Sequence, residues 1–404
     1  MKKIVIFVPY NPFPPKGGGT IRVWKMAEGL DRKGWRVIII CYGNFGKTFK
    51  VGKILIKQLR FPLGFRIKSM FLNLFVKKLG QKKLLLRINR MRAELKDDRI
   101  EDLIIKINPN VAQCESIWFC KSAIETARIL GKPVILTEHN IESKLMESLG
   151  LDSSSFVSIE KEILKNVDYV ICVSKDDEKI LREWGIKNVK TIPGGFELKI
   201  TKKIDIRKMY GLPKNCFIGI FVGSAWLPNV EAVNNLLKIA EETKDNICFL
   251  VVGSVKKAFT KKKIPENVIF TGYVSDNILA NIYDQCDIGV LPLISGGGAK
   301  QKTIDLINAK IPFVATSVAV QGLTEIFGLK NLVNCIIEDD ISKFPDWILR
   351  LKDDRKLLRK LKVELKHLAV QTWDEMVKKY ERIYEILLNQ QGRFPKWYRD
   401  AHKL

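Results

Sequence analysis

At 404 residues, 46% of them hydrophobic, the chain is long enough for two or three domains with full cores, which excludes a disordered or fibrous protein. No apolar run reaches the ~18 to 20 residues that cross a bilayer, and the opening run stops at Pro9, too short for a cleavable secretory signal. A net charge of +25 implies an anionic partner, whether nucleic acid, an acidic membrane surface or a phosphorylated ligand.

The eight cysteines (Cys41, Cys114, Cys120, Cys172, Cys216, Cys248, Cys286, Cys335) form no C-x-x-C pair and lie in or beside apolar runs. They read as reduced core residues of a cytoplasmic protein, not a disulfide framework or a zinc site.

Lys3 to Val8 reads as a buried strand, followed by the loop Pro9 to Gly19 and a helix with Val23, Met26, Ala27 and Leu30 on one face. Gly34 ends that helix and Arg36 to Cys41 is the next strand, so the chain opens on a strand-helix-strand unit of a parallel sheet. The tight G-x-G-x-x-G turn of a dinucleotide site is absent. Residues 47–92 carry many lysines and arginines and no acidic residue. Within them Ile67, Met70, Phe71, Leu74 and Phe75 recur at helical spacing, as in a basic amphipathic helix. Two readings stand: attachment to an anionic membrane interface, or packing on the first sheet with a solvated basic face.

From Asp98 the pattern resumes, with a helix through Ile100, Leu103, Ile104 and Ile107, a strand near Val111 to Cys114, a helix ending at Gly131, and a strand Pro133 to Thr137. That strand ends in Glu138-His139-Asn140-Ile141-Glu142, and ligands of parallel sheets bind beyond the carboxyl ends of strands. His139 can contact a substrate or cap the next helix. A helix Phe156 to Lys165, a strand Asp168 to Val173 and a helix capped by Ser174 follow. Thr191 to Glu197 follows, containing Pro193-Gly194-Gly195.

The second half restarts with a strand Phe217 to Val222, a loop Gly223-Ser224-Ala225-Trp226-Leu227-Pro228-Asn229 and a helix Val230 to Ala240. Strands follow at Ile247 to Val252 and Val268 to Phe270, then Gly272-Tyr273-Val274. After an apolar run Ile288 to Leu293, the stretch Ser295 to Leu323 opens with Gly296, Gly297 and Gly298 and leads into helical spacing at Thr303, Ile304 and Ile307. Glycines allow a ligand close to the backbone, and the N-H groups of a helix start favour a phosphate. Lys300 and Lys302 add charge there, and Asp305 lies about one turn on, within reach of sugar hydroxyls. These features suit a nucleotide diphosphate. Val333 to Ile337 reads as a strand, Ile341 to Leu368 as charged helix, and Thr372 to Leu388 as a last helix. The tail 393–404 mixes Phe394, Trp397 and Tyr398 with basic residues, as an interfacial anchor or a disordered end.

Gly296, Gly298, Lys300, Lys302, Pro312, Val314 and Thr316 match by position the signature of retaining GT-B glycosyltransferases of family 4, which the chain resembles over nearly its whole length. Glu138 to Glu142 resembles that family's D/E-x-H-N-x-E stretch, and Gly223 to Asn229 its G-S-x-x-W-x-P-N loop. Four positions depart: Asp305 stands where the family has Glu, Asn308 where it has Ala and Lys310 where it has Gly, and Gly297 lacks the first Glu of its E-x7-E pair. The resemblance implies an α/β, GT-B fold of two Rossmann-like parallel-sheet domains facing a cleft, with a C-terminal helix crossing back to the first domain. On this reading 1–192 form the acceptor-side domain, with 47–92 a basic insertion, 193–372 bind the nucleotide sugar, and 373–404 are the crossing helix and tail.

The family's donor site implies contacts from Gly17, Gly18, Gly19, Gly223, Trp226, Asn229, Tyr273, Gly296, Gly297, Gly298, Ala299 and Asp305. His139, Lys300 and Lys302 would be catalytic, the lysines neutralising the pyrophosphate, and Glu138, Asn140 and Glu142 would lie on the acceptor side. No cofactor and no metal are expected, since no D-x-D pair occurs in a metal-binding context. The expected reaction moves a sugar with retention from a nucleotide-diphosphate sugar to a glycan or lipid-linked acceptor, in cell-surface polysaccharide or glycolipid synthesis. The expected setting is the cytoplasmic side of an anionic membrane surface contacted through 47–92, and nucleic acid is not the expected partner. The competing readings are an inactive GT-B binding protein and a GT-B sugar-nucleotide epimerase.

Overall fold

The structure is a computed structural model that describes residues 1–15, 17–74, 81–148, 150–244, 246–260, 262–298, 300–369 and 371–390; the side chains of 69–74, 81–87 and 155 are outside that description. Two compact units emerge. The first comprises Met1–Pro15, Gly19–Pro193 and Trp373–Leu404, and the second Lys16–Gly18 and Gly194–Thr372.

The first unit is built on β1 (Lys3–Val8), β2 (Arg36–Gly43), β3 (Lys47–Val51), β4 (Ile54–Arg60), β5 (Val111–Glu115), β6 (Val134–Glu138), β7 (Tyr169–Cys172) and β8 (Val189–Thr191). They form one sheet in the order β3-β4-β2-β1-β5-β6-β7-β8, parallel except for the antiparallel β3/β4 hairpin. Alternate residues of β1 serve opposite cores: Val5 and Phe7 pack in one cluster, Ile4, Ile6 and Val8 in the other. Continuous apolar strands buried on both faces are what a parallel sheet covered by helices requires.

The segment 47–60 departs from the sequence expectation. It is a hairpin that widens the sheet, and only beyond it do helices begin, at Leu63–Leu74 and Gln81–Glu94. Its physical signal is the alternation in Ile54-Leu55-Ile56-Lys57, where Ile54 and Ile56 are buried. Met70, Phe71 and Leu74 of the helical repeat, with Phe75, lie outside the described side chains, as does the tail 393–404.

The last helix, Trp373–Gln390, belongs to the first unit, so the expected crossing back is present. Met376, Val377, Tyr380, Ile383, Tyr384 and Leu387 are buried with β1, β2 and the helix Gly18–Arg32. Its approach needs Gly29, because a Cβ there would lie 2.5 Å from the Val377 side chain. Glu381 fixes the register by accepting from the Trp35 indole at 3.1 Å and pairing with Lys33 at 2.9 Å.

The second unit carries β9 (Phe217–Val222), β10 (Ile247–Val252), β11 (Val268–Gly272), β12 (Ile288–Leu291), β13 (Phe313–Ala315) and β14 (Ile336–Ile337), all parallel, in the order β11-β10-β9-β12-β13-β14. The expected helix over 341–368 is broken at Asp354, whose carboxylate accepts from the N-H groups of Lys356 and Leu357 and starts a new helix, Arg355–Lys366.

Lys310 ends the helix Gln301–Ala309 in the left-handed conformation, φ 59° and ψ 37°, a backbone state that favours glycine. Its ammonium compensates by donating to the carbonyls of Leu365 at 3.0 Å and Leu368 at 3.2 Å, at the C-terminal end of the following helical pair. Lys310→Ala should therefore cost roughly 1 to 2 kcal/mol, since the strain stays while charge-assisted bonds go, and Lys310→Gly should cost less. Urea unfolding of the three proteins checks the order.

Candidate functional site

In the second unit the loop after β12 turns through Gly296 (φ 116°) and Gly298 (φ 62°), conformations that only glycine adopts without strain, and delivers the chain to the helix Gln301–Ala309. Lys300 is the non-helical residue at its start and is 7% exposed. Its ammonium donates to the carbonyls of Gly297 at 3.0 Å and Gly298 at 2.9 Å, so it holds the glycine loop in shape.

Lys302 reaches the other side. Its Nζ donates to Asn229 Oδ1 at 2.8 Å and stands 5.3 Å from the centre of the Phe221 ring. Burial, and then the Lys300 charge, push its pKa down to about 7. Asp305 is moved the opposite way, up to about 7 by burial, against hydrogen bonds from Gln301 (2.8 Å) and the Tyr283 hydroxyl (3.3 Å). Asn229 also donates to the Ser224 carbonyl at 3.0 Å, so one amide ties the 223–229 loop to Lys302. A Cβ on Gly223 would crowd Asn229 at 3.2 Å. Trp226, after β9, and Tyr273, after β11, are 51% and 59% exposed at the carboxyl ends of their strands. Gly17 and Gly18 group with this unit, and Gly19 with the first. Ala299 lies outside the described residues.

In the first unit His139 follows β6 and its Nε2 is 2.9 Å from Glu115 Oε2, at the end of the neighbouring β5. Glu115 is 1% exposed; its other oxygen accepts from Gln113 at 3.0 Å, and Gln113 also donates to Thr137 at 2.7 Å. The chain of polar contacts continues from Thr137 to the Tyr380 hydroxyl (3.1 Å) and on to Arg22 (2.8 Å), while Tyr384 donates to Gln113 (3.2 Å). Such buried networks lock side chains when every member is satisfied. The capping alternative for His139 is displaced: the helix Glu142–Ser148 is capped by Glu160, which accepts from the N-H groups of Glu142 (2.6 Å) and Ser143 (3.1 Å).

Glu138, expected on the acceptor side, lies in the interior. It is 0% exposed, and neither carboxyl oxygen has a partner among the described residues. Burial, then Glu160, Glu142 and Asp177, hold its pKa well above the ordinary value. Glu142 is pushed up to about 8 by burial and Glu160, although Trp118 and Asn140 donate to it, and Glu160 rises to about 7 by burial. A folded-state pKa above the unfolded value means the folded state binds more protons between the two, so stability falls with rising pH there. The contribution of these groups should therefore fall as pH rises from about 4.5 to about 8. Glu142→Gln should flatten the fall in melting temperature between these limits, and an unchanged slope would contradict it.

Sequence reading missed Glu115, Gln301, Tyr283 and Glu231, whose carboxylate accepts from Ser295 Oγ at 2.5 Å at the start of the glycine loop. Tyr10 is another: a Cβ on Gly19 would touch its hydroxyl at 2.8 Å. Only the position of Glu115 at a strand end carried a signal.

Comparison with known proteins matches residues 16–199 to Glycosyltransferase Family 4 and residues 217–354 to Glycosyl transferases group 1. An uncharacterized 44.6 kDa protein in the cps region of Klebsiella pneumoniae is 23% identical over 249 residues, which span 55% of this chain and 61% of that one. Sucrose-phosphate synthase from Thermosynechococcus elongatus superposes with a TM-score of 0.74 at 18% identity, over 96% of this chain and 100% of that one. HepE of Anabaena in complex with UDP gives 0.67 at 12% identity over 96% and 100%. TarM of S. aureus, in a mutant form with Fondaparinux, alpha-GlcNAc-glycerol and UDP, gives 0.63 at 14% over 95% and 100%. Both halves are matched in order, and the two parallel sheets have the GT-B architecture: the chain belongs to the family 4, group 1 glycosyltransferases.

Proposed function

We propose that the chain transfers a glycosyl group, with retention, from a nucleoside-diphosphate sugar to a glycan or lipid-linked acceptor in polysaccharide or glycolipid synthesis. The observation that carries this reading is the Lys302 ammonium, half-buried and held by Asn229 beside a glycine loop at a helix start. A cation in such a place has lost much of its hydration, and a diphosphate restores what burial removed. The leaving group of the transfer is that same diphosphate, so binding and transition-state stabilisation use one set of donors. The UDP complexes of HepE and TarM favour UDP as the first nucleotide to try, and the cps-region relative favours a polysaccharide product.

Among the described residues no group of three or more His, Cys, Asp or Glu side chains is placed to hold a metal, and we propose transfer without one. Peripheral attachment to an anionic membrane is part of the proposal. Among the described residues no helix is long and apolar enough to cross a bilayer. The hairpin and following helix expose Lys47, Lys50, Lys53, Arg66 and Lys68 beside Leu63 and Ile67, a mixture that suits an anionic interface.

Isothermal titration with UDP, GDP and dTDP, followed by the corresponding sugars in EDTA, tests the reading. Binding of one nucleotide and slow release of free sugar are the expected results, and NMR of the released or transferred sugar reads its anomeric configuration. No binding of any nucleotide would leave an inactive scaffold, while an altered nucleotide sugar without transfer would indicate an epimerase.

A further inference from the structure

We propose that the helix Arg355–Lys366 of the second unit is a docking surface for an anionic lipid bilayer, separate from the basic region at 47–68. The helix buries Leu361 and Leu365 in the second core, with Leu357 and Leu358 packed against it. Its opposite face exposes Arg355, Lys356, Arg359, Lys360, Lys362 and Lys366. The spacing 355, 359, 362, 366 places four cations in one line about 16 Å long, with the other two beside it. Glu364 is the one acidic residue of the helix and is half-buried.

Like charges three or four residues apart on a helix repel and destabilise it, and here this holds for Arg355/Arg359, Lys356/Lys360, Arg359/Lys362 and Lys362/Lys366. Among the described residues none of the six is in an ion pair; Arg355 lies over the Phe217 ring at 5.8 Å. Where counter-charges stand at helical spacing they pair, as in Lys378–Asp374 on the last helix at 3.0 Å. A surface carrying a repulsive row without counter-charges is complementary to a partner that supplies them. The row lies just beyond 217–354, the segment matched to the group 1 family.

A bilayer is favoured over nucleic acid by what stands between the cations. The face has no aromatic or amide side chain to stack on or read a base, and its one apolar member, Val363, is 48% exposed, which suits a headgroup layer.

The test uses the full chain, sedimented with phosphatidylcholine vesicles with and without phosphatidylglycerol. Arg359→Gln/Lys362→Gln/Lys366→Gln should weaken partitioning to the anionic vesicles by about fivefold per cation, on the order of a hundredfold in all at low salt, with little effect in high salt. A parallel Lys47→Gln/Lys50→Gln/Lys53→Gln protein measures the other region. UDP affinity should be unchanged in both, and neither should unfold at a lower temperature, the 359/362/366 variant having lost like-charge repulsion, which keeps failure of this surface distinct from failure of the glycosyltransferase reading. Partitioning of the 359/362/366 variant equal to wild type overturns the proposal. So does loss, in that variant, of binding to RNA or duplex DNA when wild type ignores anionic vesicles.

Discussion

Lys302→Ala should lower UDP affinity by about tenfold to a hundredfold, the effect of losing one charge-assisted contact worth about 1.5 to 3 kcal/mol. The loss should be accompanied by a changed pH dependence. In the wild type the ammonium has a pKa of about 7, so the charged form that binds a diphosphate is depleted as pH rises through neutrality, and UDP affinity should fall above pH 7. Donor binding should then take up protons near pH 7, which titration in buffers of different ionisation enthalpy reads directly. The variant should neither take up that proton nor keep that slope. Removing the cation also relieves a desolvated charge, so the variant should unfold at the same or a higher temperature. Unchanged UDP affinity would remove Lys302 from the site.

Glu115→Gln should lower the transfer rate by about tenfold or more while leaving UDP affinity as it was. Glu115 accepts on both oxygens, from Gln113 on one and His139 on the other. A glutamine of the same shape offers one acceptor and one donor, so it must oppose either the Gln113 amide or a protonated His139 Nε2. A histidine's proton position is set by the bond its other nitrogen makes, so the ring changes tautomer or turns. A reduced rate with a displaced rate–pH profile identifies Glu115 as a positioning residue for His139. An equal loss in UDP affinity would point to a general disturbance of the first unit, and an unaltered rate would detach His139 from the reaction.

How far the sequence led depends on how much pattern each element carries. β9 and β10 are six-residue apolar runs bounded by polar loops, and both were legible to the residue. β8 and β14 have three and two residues, too few to show a period, and depend on neighbours for their pairing. The hairpin at 47–60 was hidden because its alternation is diluted by lysines and followed at once by a stronger helical repeat. In the site, the clustering of Lys300, Lys302 and Asp305 was visible in one stretch of chain. Their difference was not: Lys300 turns to the loop's own carbonyls and Lys302 to Asn229, a distinction made by residues 73 positions apart. Glu115 stood at a strand end, but its pairing with His139 was silent until the sheet order set β5 beside β6. Lys310 shows the converse, a departure from the family's glycine that changes a helix end and leaves the glycine loop untouched.

The last helix also bears on how the protein is made. Its buried stripe covers one face of the first sheet, yet residues 194–372 are synthesised before it. At about 5 to 20 residues per second, that delay is on the order of ten to forty seconds. During it the nascent first unit leaves Ile4, Ile6 and Val23 without the Met376, Tyr380 and Tyr384 that cover them in the finished chain. Ribosome-bound intermediates should accordingly be the most chaperone-dependent and aggregation-prone form of this protein, and a chain stopped after Thr372 would remain in that state.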